Sequence, residues 1–334
     1  MVASLSEFIG APATTWNRVE HEDMKVKDWI VPSFGKLTEG FDIVITGIPL
    51  SRSSISASAA SEYPDFFRKS WQFFSTYSID DNVDFRHLHV ADLGDVKMHG
   101  TNILQCHTNI ERAMMDIQIY CPNSFYVQIG GDHSITAPIV RAITQHTGKR
   151  VGIVQFDTHL DLRATESDGP TNGTPIRQLL DTGVVRGEDV YNIGLHGFYN
   201  APSLIKAADE YGVNRITLKQ FRKNGAEQQI AEVMNSLKEK VDIVYVTVDM
   251  DVLDITYAPG VPASTPGGMR SDELFDLLYE VGKYDFVYGM DFVCLDPHRD
   301  SREQQTVKTG VYAFLTVMTS RFVHLYSEKN TVTM

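Results

Sequence analysis

Two aspartates and a histidine alternate in the stretch FDTHLDLR, residues 156–163, which directly follows an apolar run. Alternate residues of an extended chain share a face, so Asp157, His159 and Asp161 can point to one place. Carboxylates and imidazoles are ligands for divalent metal ions. An isolated acidic pair usually forms only a solvated turn, but this combination of side chains indicates a metal site.

Two further stretches carry the same side-chain types at the ends of apolar runs. FYVQI (125–129) leads into GGDHS, which contains His133, and VDIVYVTV (241–248) leads into Asp249 and Asp251. In open α/β sheets, sites form beyond the carboxyl ends of the strands. Four clustered carboxylates would repel one another, and two divalent cations would balance their charge. The predicted metal ligands are His133, Asp157, His159, Asp161, Asp249 and Asp251.

The elements that must position these ligands are short runs that are apolar at nearly every position. Such runs are typical of strands that are buried on both faces. Strands are predicted at 41–48, 125–129, 151–156, 190–194, 241–248 and 286–293. Helices are predicted between them, at 103–120, 134–147, 201–212, 226–240, 271–283 and 305–326. The alternation predicts an α/β fold, with a mostly parallel central sheet between two helical layers.

Size and composition restrict the remaining possibilities. We expect one domain over residues 1–334, with residues 1–40 as an N-terminal extension packed on it, and a loop at the Ser-rich stretch 51–61. The net charge of −13 argues against nucleic acid or an anionic membrane as the main partner. Three cysteines do not make a disulfide framework, and the N-terminus has no secretory pattern. We therefore expect a cytoplasmic protein without a membrane span.

The three ligand-bearing stretches resemble the signatures of a known family. GGDHS, FDTHLD and VDMDVLDITYAPGVPASTPGG are similar to those of the ureohydrolase superfamily, which includes arginase, agmatinase and formimidoylglutamase. The resemblance extends from about residue 41 to about residue 320. It implies a three-layer α/β/α domain with two manganese ions, in a homo-oligomer such as a trimer or hexamer. Nickel remains an alternative metal, because these ligands suit both ions.

The resemblance also implies which residue does what. One ion would take His133, Asp157, Asp161 and Asp249, and the other would take Asp157, His159, Asp249 and Asp251. Two such ions generate hydroxide from water near neutral pH, and the family assigns to Asp161 the relay of its proton to the leaving amine. Asp132 and Asp254 are expected to orient ligands or loops.

Several residues resemble formimidoylglutamases in particular. Arginases and agmatinases carry a His-Gly pair where this chain has Asn172-Gly173. The stretches GIPLSRSSIS and TNGTP also resemble those of formimidoylglutamases. Arg163 stands where arginase has an Asn that binds a carboxylate, so an acidic substrate is expected. A structural ion pair is the alternative role for Arg163. Asn172, Arg52 and Ser54 are further candidate substrate contacts.

Two positions depart from the family pattern. Cys294 occupies the place of a Glu that holds the guanidinium or amidinium group, and a thiol cannot make that charged contact. We interpret Cys294 as lining the substrate site, with a buried core residue or a nucleophile as alternatives. His196 stands where relatives often carry Arg, and it is a candidate catalytic proton carrier or substrate contact.

Together these observations predict a dinuclear hydrolase that acts on a C–N bond of a small linear amidine. The reaction most similar to the family pattern converts N-formimidoyl-glutamate to glutamate and formamide. A first alternative is a guanidino or biguanide compound that releases urea or a urea derivative. A second alternative is a catalytically silent subunit in a hetero-oligomer with an active partner.

Overall fold

The computed structural model of the chain describes residues 4–19 and 22–326. Its strands, in chain order, are β1 (Ser4–Leu5), β2 (Ile9–Gly10), β3 (Val31–Pro32), β4 (Lys36–Leu37), β5 (Ile43–Ile48), β6 (Tyr77–Ser78), β7 (Val83–Asp84), β8 (Val90–Val96), β9 (Phe125–Gly130), β10 (Val151–Phe156), β11 (Val190–Leu195), β12 (Asn214–Thr217), β13 (Ile243–Asp249) and β14 (Val287–Val293). Strands β5, β9, β10 and β13 are buried at every position, as their apolar sequences predict.

Ten strands form one central sheet in the order β12-β11-β10-β13-β14-β9-β5-β8-β2, with β3 also paired to β8. Strand β2 runs antiparallel to β8, and the other pairings in this sheet are parallel. The carboxyl ends of the parallel strands therefore lie along one edge. Strands β10, β13, β14 and β9 are consecutive neighbours, so the loops that follow them meet there.

The helices are α1 (Val26–Trp29), α2 (Tyr63–Ser70), α3 (Ile103–Tyr120), α4 (Thr136–Thr147), α5 (Thr165–Asp168), α6 (Pro175–Asp181), α7 (Pro202–Tyr211), α8 (Leu218–Asn224), α9 (Ala226–Lys238), α10 (Ser271–Gly282) and α11 (Gln305–Leu325). Helix α4 packs against α3 and α6, whereas α10 packs against α9 and α11, and α11 against α2. The sheet therefore lies between two helical layers. Among the described helices, none is long and apolar enough to cross a membrane.

The strands and helices predicted from the apolar runs are present, with small shifts at their ends. Strand β12 was not predicted, because its sequence NRIT is half-exposed at the sheet edge and has no apolar run. Helix α2 was not predicted either, although Pro64 at its start is a common signal for a helix N-terminus. Residues before the first predicted strand contribute β2 and β3, which both pair with β8.

Candidate metal centre

The loop after β9 holds His133 through its neighbours in sequence. A Cβ atom on Gly131 would lie 1.6 Å from a backbone carbonyl oxygen in the loop after β5, so only glycine fits there. Asp132 accepts hydrogen bonds from the backbone N–H groups of Ser134 (3.0 Å) and Ser53 (3.1 Å). Asp132 therefore orients two loops at once, as its position beside His133 predicts, and His133 is fully buried between them.

The loop after β10 is shaped by hydrogen bonds to its own backbone. Asp157 accepts a hydrogen bond from the backbone N–H of His159 at 2.5 Å, and Asn192 donates to the carbonyl of His159 at 2.6 Å. Asp161 adopts a left-handed backbone conformation with φ 53°. This conformation is uncommon for residues other than glycine and is often found at functional sites. The loop thus turns sharply and brings its three candidate ligands to one side.

The loop after β13 is joined to the loop after β10. The side chain of Asp249 accepts a hydrogen bond from the backbone N–H of Asp251 at 2.9 Å. Thr158 donates its hydroxyl to the carbonyl of Asp251 at 2.8 Å and its backbone N–H to the Asp251 carboxylate at 3.2 Å. Because β10 and β13 are neighbours in the sheet, these bonds fix the two loops relative to each other.

The structure brings His133 together with three aspartates from the other two loops. Its Nδ1 atom lies 2.8 Å from Oδ2 of Asp161 and 3.2 Å from Oδ2 of both Asp157 and Asp249. These carboxylates are nearly or completely buried. Four potential ligand groups therefore surround one position in the protein interior.

A second group adjoins the first and shares Asp157 with it. Nδ1 of His159 lies 2.9 Å from Oδ2 of Asp251 and 3.6 Å from Oδ1 of Asp157. The potential ligand atoms of Asp157, His159 and Asp251 lie within 4.8 Å of one another, and so do those of His133, Asp157 and Asp249. The two groups form two adjacent candidate cation sites with a common carboxylate.

Burial and neighbouring charges shift the pKa values in this cluster. Burial, together with adjacent carboxylates, raises the pKa of Asp161 to about 7 and that of Asp251 well above its usual value. Burial opposes the protonation of the imidazoles, but the carboxylates outweigh it, so the pKa of His159 rises to about 12 and that of His133 also rises well above normal. Without cations, the cluster retains protons that limit repulsion among its carboxylates.

The residues present fit a pair of divalent cations. Nδ1 of His133 is buried and makes no hydrogen bond to any described residue, although three carboxylate oxygens surround it. In the unprotonated imidazole the Nδ1 lone pair faces these carboxylate oxygens, and a cation at this position would accept that lone pair. The donor set of two imidazoles and four carboxylates suits manganese and similar ions.

Cys294 lies directly after β14, the strand between β13 and β9, so the sheet order places it between two ligand-bearing loops. Its backbone N–H donates to the carbonyl of Gly131 at 2.8 Å, and its φ of 65° is left-handed. Burial and the nearby charge of Asp249 raise the pKa of the thiol well above its usual value. The thiol is therefore neutral, which disfavours the alternative role of Cys294 as a nucleophile.

His196 lies at the end of β11 and has protein partners on both ring nitrogens. Nδ1 lies 2.9 Å from the carbonyl oxygen of Gly194, and Nε2 lies 3.2 Å from the hydroxyl of Thr265. The ring of Tyr199 stands edge-on to His196, at 5.5 Å between centroids, and also edge-on to His159, at 6.4 Å. Tyr199 therefore contacts both His196 and the candidate ligand His159.

The Ser-rich loop 51–61 is tied down by side chains from several other loops. Asp132 accepts from the backbone N–H of Ser53, as described above, and Oδ1 of Asn172 accepts from the backbone N–H of Ile55 at 2.8 Å. Further along, the carboxylate of Asp296 accepts from a backbone N–H at 2.9 Å, and Arg299 donates to a backbone carbonyl at 3.0 Å. The loop therefore forms an ordered wall beside the cluster.

The predicted substrate contacts occupy different environments. Arg163 is half-exposed, with 52% of its side-chain surface accessible, and its nearest carboxylate oxygen, on Asp168, lies 3.8 Å away. Arg52 instead donates to the carbonyl of His99 and approaches Sγ of Cys106 at 3.5 Å. The backbone N–H of Ser54 closes a turn within the same loop. Of the two arginines, Arg163 has the less committed guanidinium group.

Sequence reasoning missed two polar residues that hold the site, one inside an apolar strand and one in a loop. Gln155, inside β10, donates to the carboxylates of Asp157 at 2.7 Å and Asp161 at 3.4 Å. Asn200, after β11, accepts from one backbone N–H and donates to one backbone carbonyl of the loop after β10. A fully buried glutamine in the otherwise apolar run VGIVQF is a signal that could have been read, whereas Asn200 gives none.

Comparisons with known proteins agree with this geometry. The family model described as the arginase family matches residues 41–319. A formimidoylglutamase of Halalkalibacterium halodurans is 40% identical over 91% of this chain and 94% of its own length. The crystal structure of a formimidoylglutamase from Bacillus subtilis superposes with a TM-score of 0.85 at 32% identity, over 92% of this chain and 94% of that one. A variant of Trypanosoma cruzi formiminoglutamase with two Mn²⁺ ions has a TM-score of 0.80 at 26% identity, over 90% of this chain and 98% of that one.

The chain therefore belongs to the arginase family. Within that family it is a formimidoylglutamase-like amidine hydrolase, since its extensive matches in both sequence and structure include formimidoylglutamases.

Proposed function

We propose that this chain hydrolyses N-formimidoyl-glutamate to glutamate and formamide at a pair of divalent metal ions. The observation that carries the proposal is the convergence of six groups from three loops on two adjacent positions that share Asp157. The names of the formimidoylglutamase relatives support this choice of substrate.

The metal ligands follow from the distances in the cluster and from the family pattern. We assign one ion to His133, Asp157, Asp161 and Asp249, from their distances to Nδ1 of His133. We assign the other ion to Asp157, His159 and Asp251 from their distances, and add Asp249 to it from the family pattern alone. We propose Mn²⁺, supported by the Mn²⁺ ions of the Trypanosoma cruzi relative, and Ni²⁺ is the alternative. When bound, the ions would lower the pKa of a water molecule and so supply hydroxide near neutral pH.

The protein groups provide the remaining chemistry. The carboxylate of Asp161 accepts the proton of the attacking water and delivers it to the amine nitrogen of the departing glutamate. The bonds of Gln155 to the carboxylates of Asp161 and Asp157 hold these groups in place. Because the reacting groups are buried, their charges act with little screening by solvent.

Arg163 is the proposed partner of a substrate carboxylate. Its guanidinium group is half-exposed, and its separation of 3.8 Å from Asp168 leaves its hydrogen-bond donors available. Asn172 anchors loop 51–61 with its side-chain oxygen, so its amide NH₂ is the group that could meet the substrate. Arg52 and Ser54 contribute to this wall. His196, which contacts Tyr199, is the proposed proton carrier or further substrate contact.

Cys294 favours a formimidoyl group over a guanidino group. A formimidoyl carbon carries a C–H where a guanidino carbon carries a further NH₂ group. The neutral, buried thiol offers no charged acceptor for that NH₂, and it tolerates the C–H. This difference supports formimidoyl-glutamate over the guanidino and biguanide alternatives.

We also propose a cytoplasmic homo-oligomer, such as a trimer or hexamer, built from one domain over residues 1–334. Pairing of β2 and β3 with β8 supports the packing of residues 1–40 on that domain, although residues 1–3, 20, 21 and 327–334 lie outside the described ranges. Exposed Phe73 and Tyr77 support a contact between subunits. Light scattering after gel filtration would measure the number of subunits.

A substrate panel tests the proposed reaction. Full-length protein is treated with chelator, loaded with Mn²⁺ or Ni²⁺, and incubated with N-formimidoyl-glutamate, agmatine, arginine and a biguanide. We expect formamide and glutamate from the first compound. Urea from the other compounds, without formamide, would instead select a guanidino hydrolase. No product from any compound, with both ions bound, would select the silent subunit of a hetero-oligomer.

A further inference from the structure

A buried line of side chains runs from the far side of His133 into the sheet. Nε2 of His133, the ring nitrogen remote from the carboxylate cluster, lies 2.9 Å from the hydroxyl of Thr247. That hydroxyl donates to Oδ1 of Asp291 at 2.5 Å. Thr247 and Asp291 are paired in register on β13 and β14, and all three side chains are completely buried.

The direction of these hydrogen bonds is set by Asp291. Its carboxylate also receives hydrogen bonds from the hydroxyls of Thr136 at 2.8 Å and Tyr245 at 3.1 Å. The Thr247 hydroxyl hydrogen points to Asp291 in the same way, because both carboxylate oxygens accept hydroxyl hydrogens. The Thr247 oxygen then accepts the Nε2 hydrogen of His133. This arrangement places the hydrogen of a neutral imidazole on Nε2 and leaves the Nδ1 lone pair for a cation.

Within the described part of the chain, Asp291 is not buried as one half of a structural ion pair with a lysine or arginine. Among the described residues, Asp291 is bonded to three hydroxyl groups and forms no ion pair with a lysine or arginine. A buried carboxylate without a cationic partner is expensive to maintain. Along the line of hydrogen bonds, the nearest positive charge would be the cation bound by Nδ1 of His133. A metal centre at His133 therefore accounts for a carboxylate at the position of Asp291.

We propose that Thr247 and Asp291 are positioning residues that fix the tautomer and the ring plane of His133, so that Nδ1 can bind a metal ion. This inference rests on the proposed function, because that function makes His133 a ligand. Histidine ligands commonly donate their second N–H to a carboxylate or carbonyl, and loss of that partner weakens metal binding. Here a threonine hydroxyl lies between the imidazole and the carboxylate.

Thr247→Val and Thr247→Ser separate the role of the hydroxyl from that of the side-chain volume. Valine keeps the shape but leaves the Nε2 hydrogen of His133 without an acceptor, whereas serine retains the hydroxyl. Mn²⁺ is titrated into the chelator-treated full-length protein and followed by calorimetry and electron paramagnetic resonance. We expect Thr247→Val to weaken the affinity for the Mn²⁺ ion that His133 binds by about 10–100-fold, and Thr247→Ser to restore most of it.

Tyr245→Phe is the matched control. It also removes a buried hydroxyl that donates to Asp291, but this hydroxyl has no contact with the His133 ring and is shared with Gln128 at 3.0 Å. We expect its Mn²⁺ affinity to stay close to that of the unmodified protein. An equal loss in Tyr245→Phe and Thr247→Val would overturn the proposal, because the loss would then follow from any missing buried hydroxyl.

If a folded Thr247→Val protein binds both Mn²⁺ ions with unchanged affinity, the proposed positioning role of Thr247 is also overturned. If circular dichroism finds this variant unfolded, Asp291→Asn replaces it, with the same expected loss and the same contradicting result. If the unmodified protein itself binds fewer than two Mn²⁺ ions, the proposed metal centre fails first, and this inference falls with it. The unmodified protein thus tests the function, and the variants test the positioning.

Discussion

The loops that carry the candidate metal ligands and the loop 51–61, which we propose to face the substrate, differ in how they are held. In the loops after β9, β10 and β13, the aspartates Asp132, Asp157 and Asp249 each accept a hydrogen bond from the backbone N–H two residues further along. Such short-range bonds stabilise tight turns with little help from distant residues. Loop 51–61 is instead anchored by side chains that lie 79 to 242 residues away in sequence.

This difference separates two kinds of function. The candidate metal-binding half is largely buried, and local bonds close its turns in addition to longer-range bonds such as those of Asn200 and Thr158. A change there should affect metal content and turnover. The substrate-facing half depends on a few long-range contacts, and Arg163 is half-exposed. Changes there should affect mainly the KM and the choice of substrate. The predictions below test this division, from the largest expected effect to the smallest.

Asp157→Asn should have the largest effect, because Asp157 belongs to both groups of potential ligands and also forms the turn to His159. We expect kcat to fall by at least about 10³-fold, since bound metal ions supply several kcal/mol of transition-state stabilisation. Bound Mn²⁺, measured by mass spectrometry of the metal, should fall in parallel. A variant that keeps two ions and most of its kcat would remove Asp157 from the centre.

Arg163→Met should raise the KM for N-formimidoyl-glutamate by about 10–100-fold, because a charged hydrogen bond contributes about 1.5–3 kcal/mol. The metal content should stay the same. Asp168→Asn is the matched control, since it removes the carboxylate at 3.8 Å and leaves the guanidinium in place. An equal rise of KM in both variants would favour the structural ion pair as the role of Arg163.

Cys294→Glu should shift the preference toward guanidino compounds by about tenfold, because a carboxylate can accept a charged hydrogen bond from the additional NH₂ group. The measurement is the ratio of kcat/KM for a guanidino compound to that for N-formimidoyl-glutamate. Cys294→Ser, which adds no charge, should leave this ratio nearly unchanged. If the glutamate variant also leaves the ratio unchanged, Cys294 does not determine specificity.

Asn172→Ala should have the smallest effect, because it removes one hydrogen bond to the backbone of Ile55 while the other anchors of loop 51–61 remain. We expect KM to rise about fivefold, corresponding to about 1 kcal/mol, with kcat little changed. Amide hydrogen exchange at Ile55 should become faster. A large loss of kcat with slow exchange at Ile55 would place Asn172 in the reaction instead of in the wall.

The sequence was most informative where geometry is local. The alternate spacing of Asp157, His159 and Asp161 predicted that they can converge if the chain is extended. The structure brings them to one side through a sharp turn after β10 instead. Sequence reasoning missed Gln155, Thr247 and Asp291, although each is a polar residue inside an apolar run that becomes fully buried. A buried strand has no other reason to carry such groups than a polar partner.

The substrate-facing half was less predictable for a physical reason. Arg52 and Asn172 were both predicted to contact the substrate. In the structure, however, Arg52 donates to the backbone carbonyl of His99, and the amide oxygen of Asn172 accepts the backbone N–H of Ile55. These contacts join segments that are far apart in sequence, so they depend on the packing of the complete sheet. Residue type alone could not distinguish a loop anchor from a ligand contact.

The most direct test of the account is the number of Mn²⁺ ions that the full-length protein binds after chelation, with their magnetic coupling measured by electron paramagnetic resonance. Two ions per chain with a spin-coupled spectrum are predicted, because Asp157 lies within reach of both groups. One uncoupled ion, or none at millimolar Mn²⁺, would contradict a shared pair of ions and the hydrolysis that depends on it.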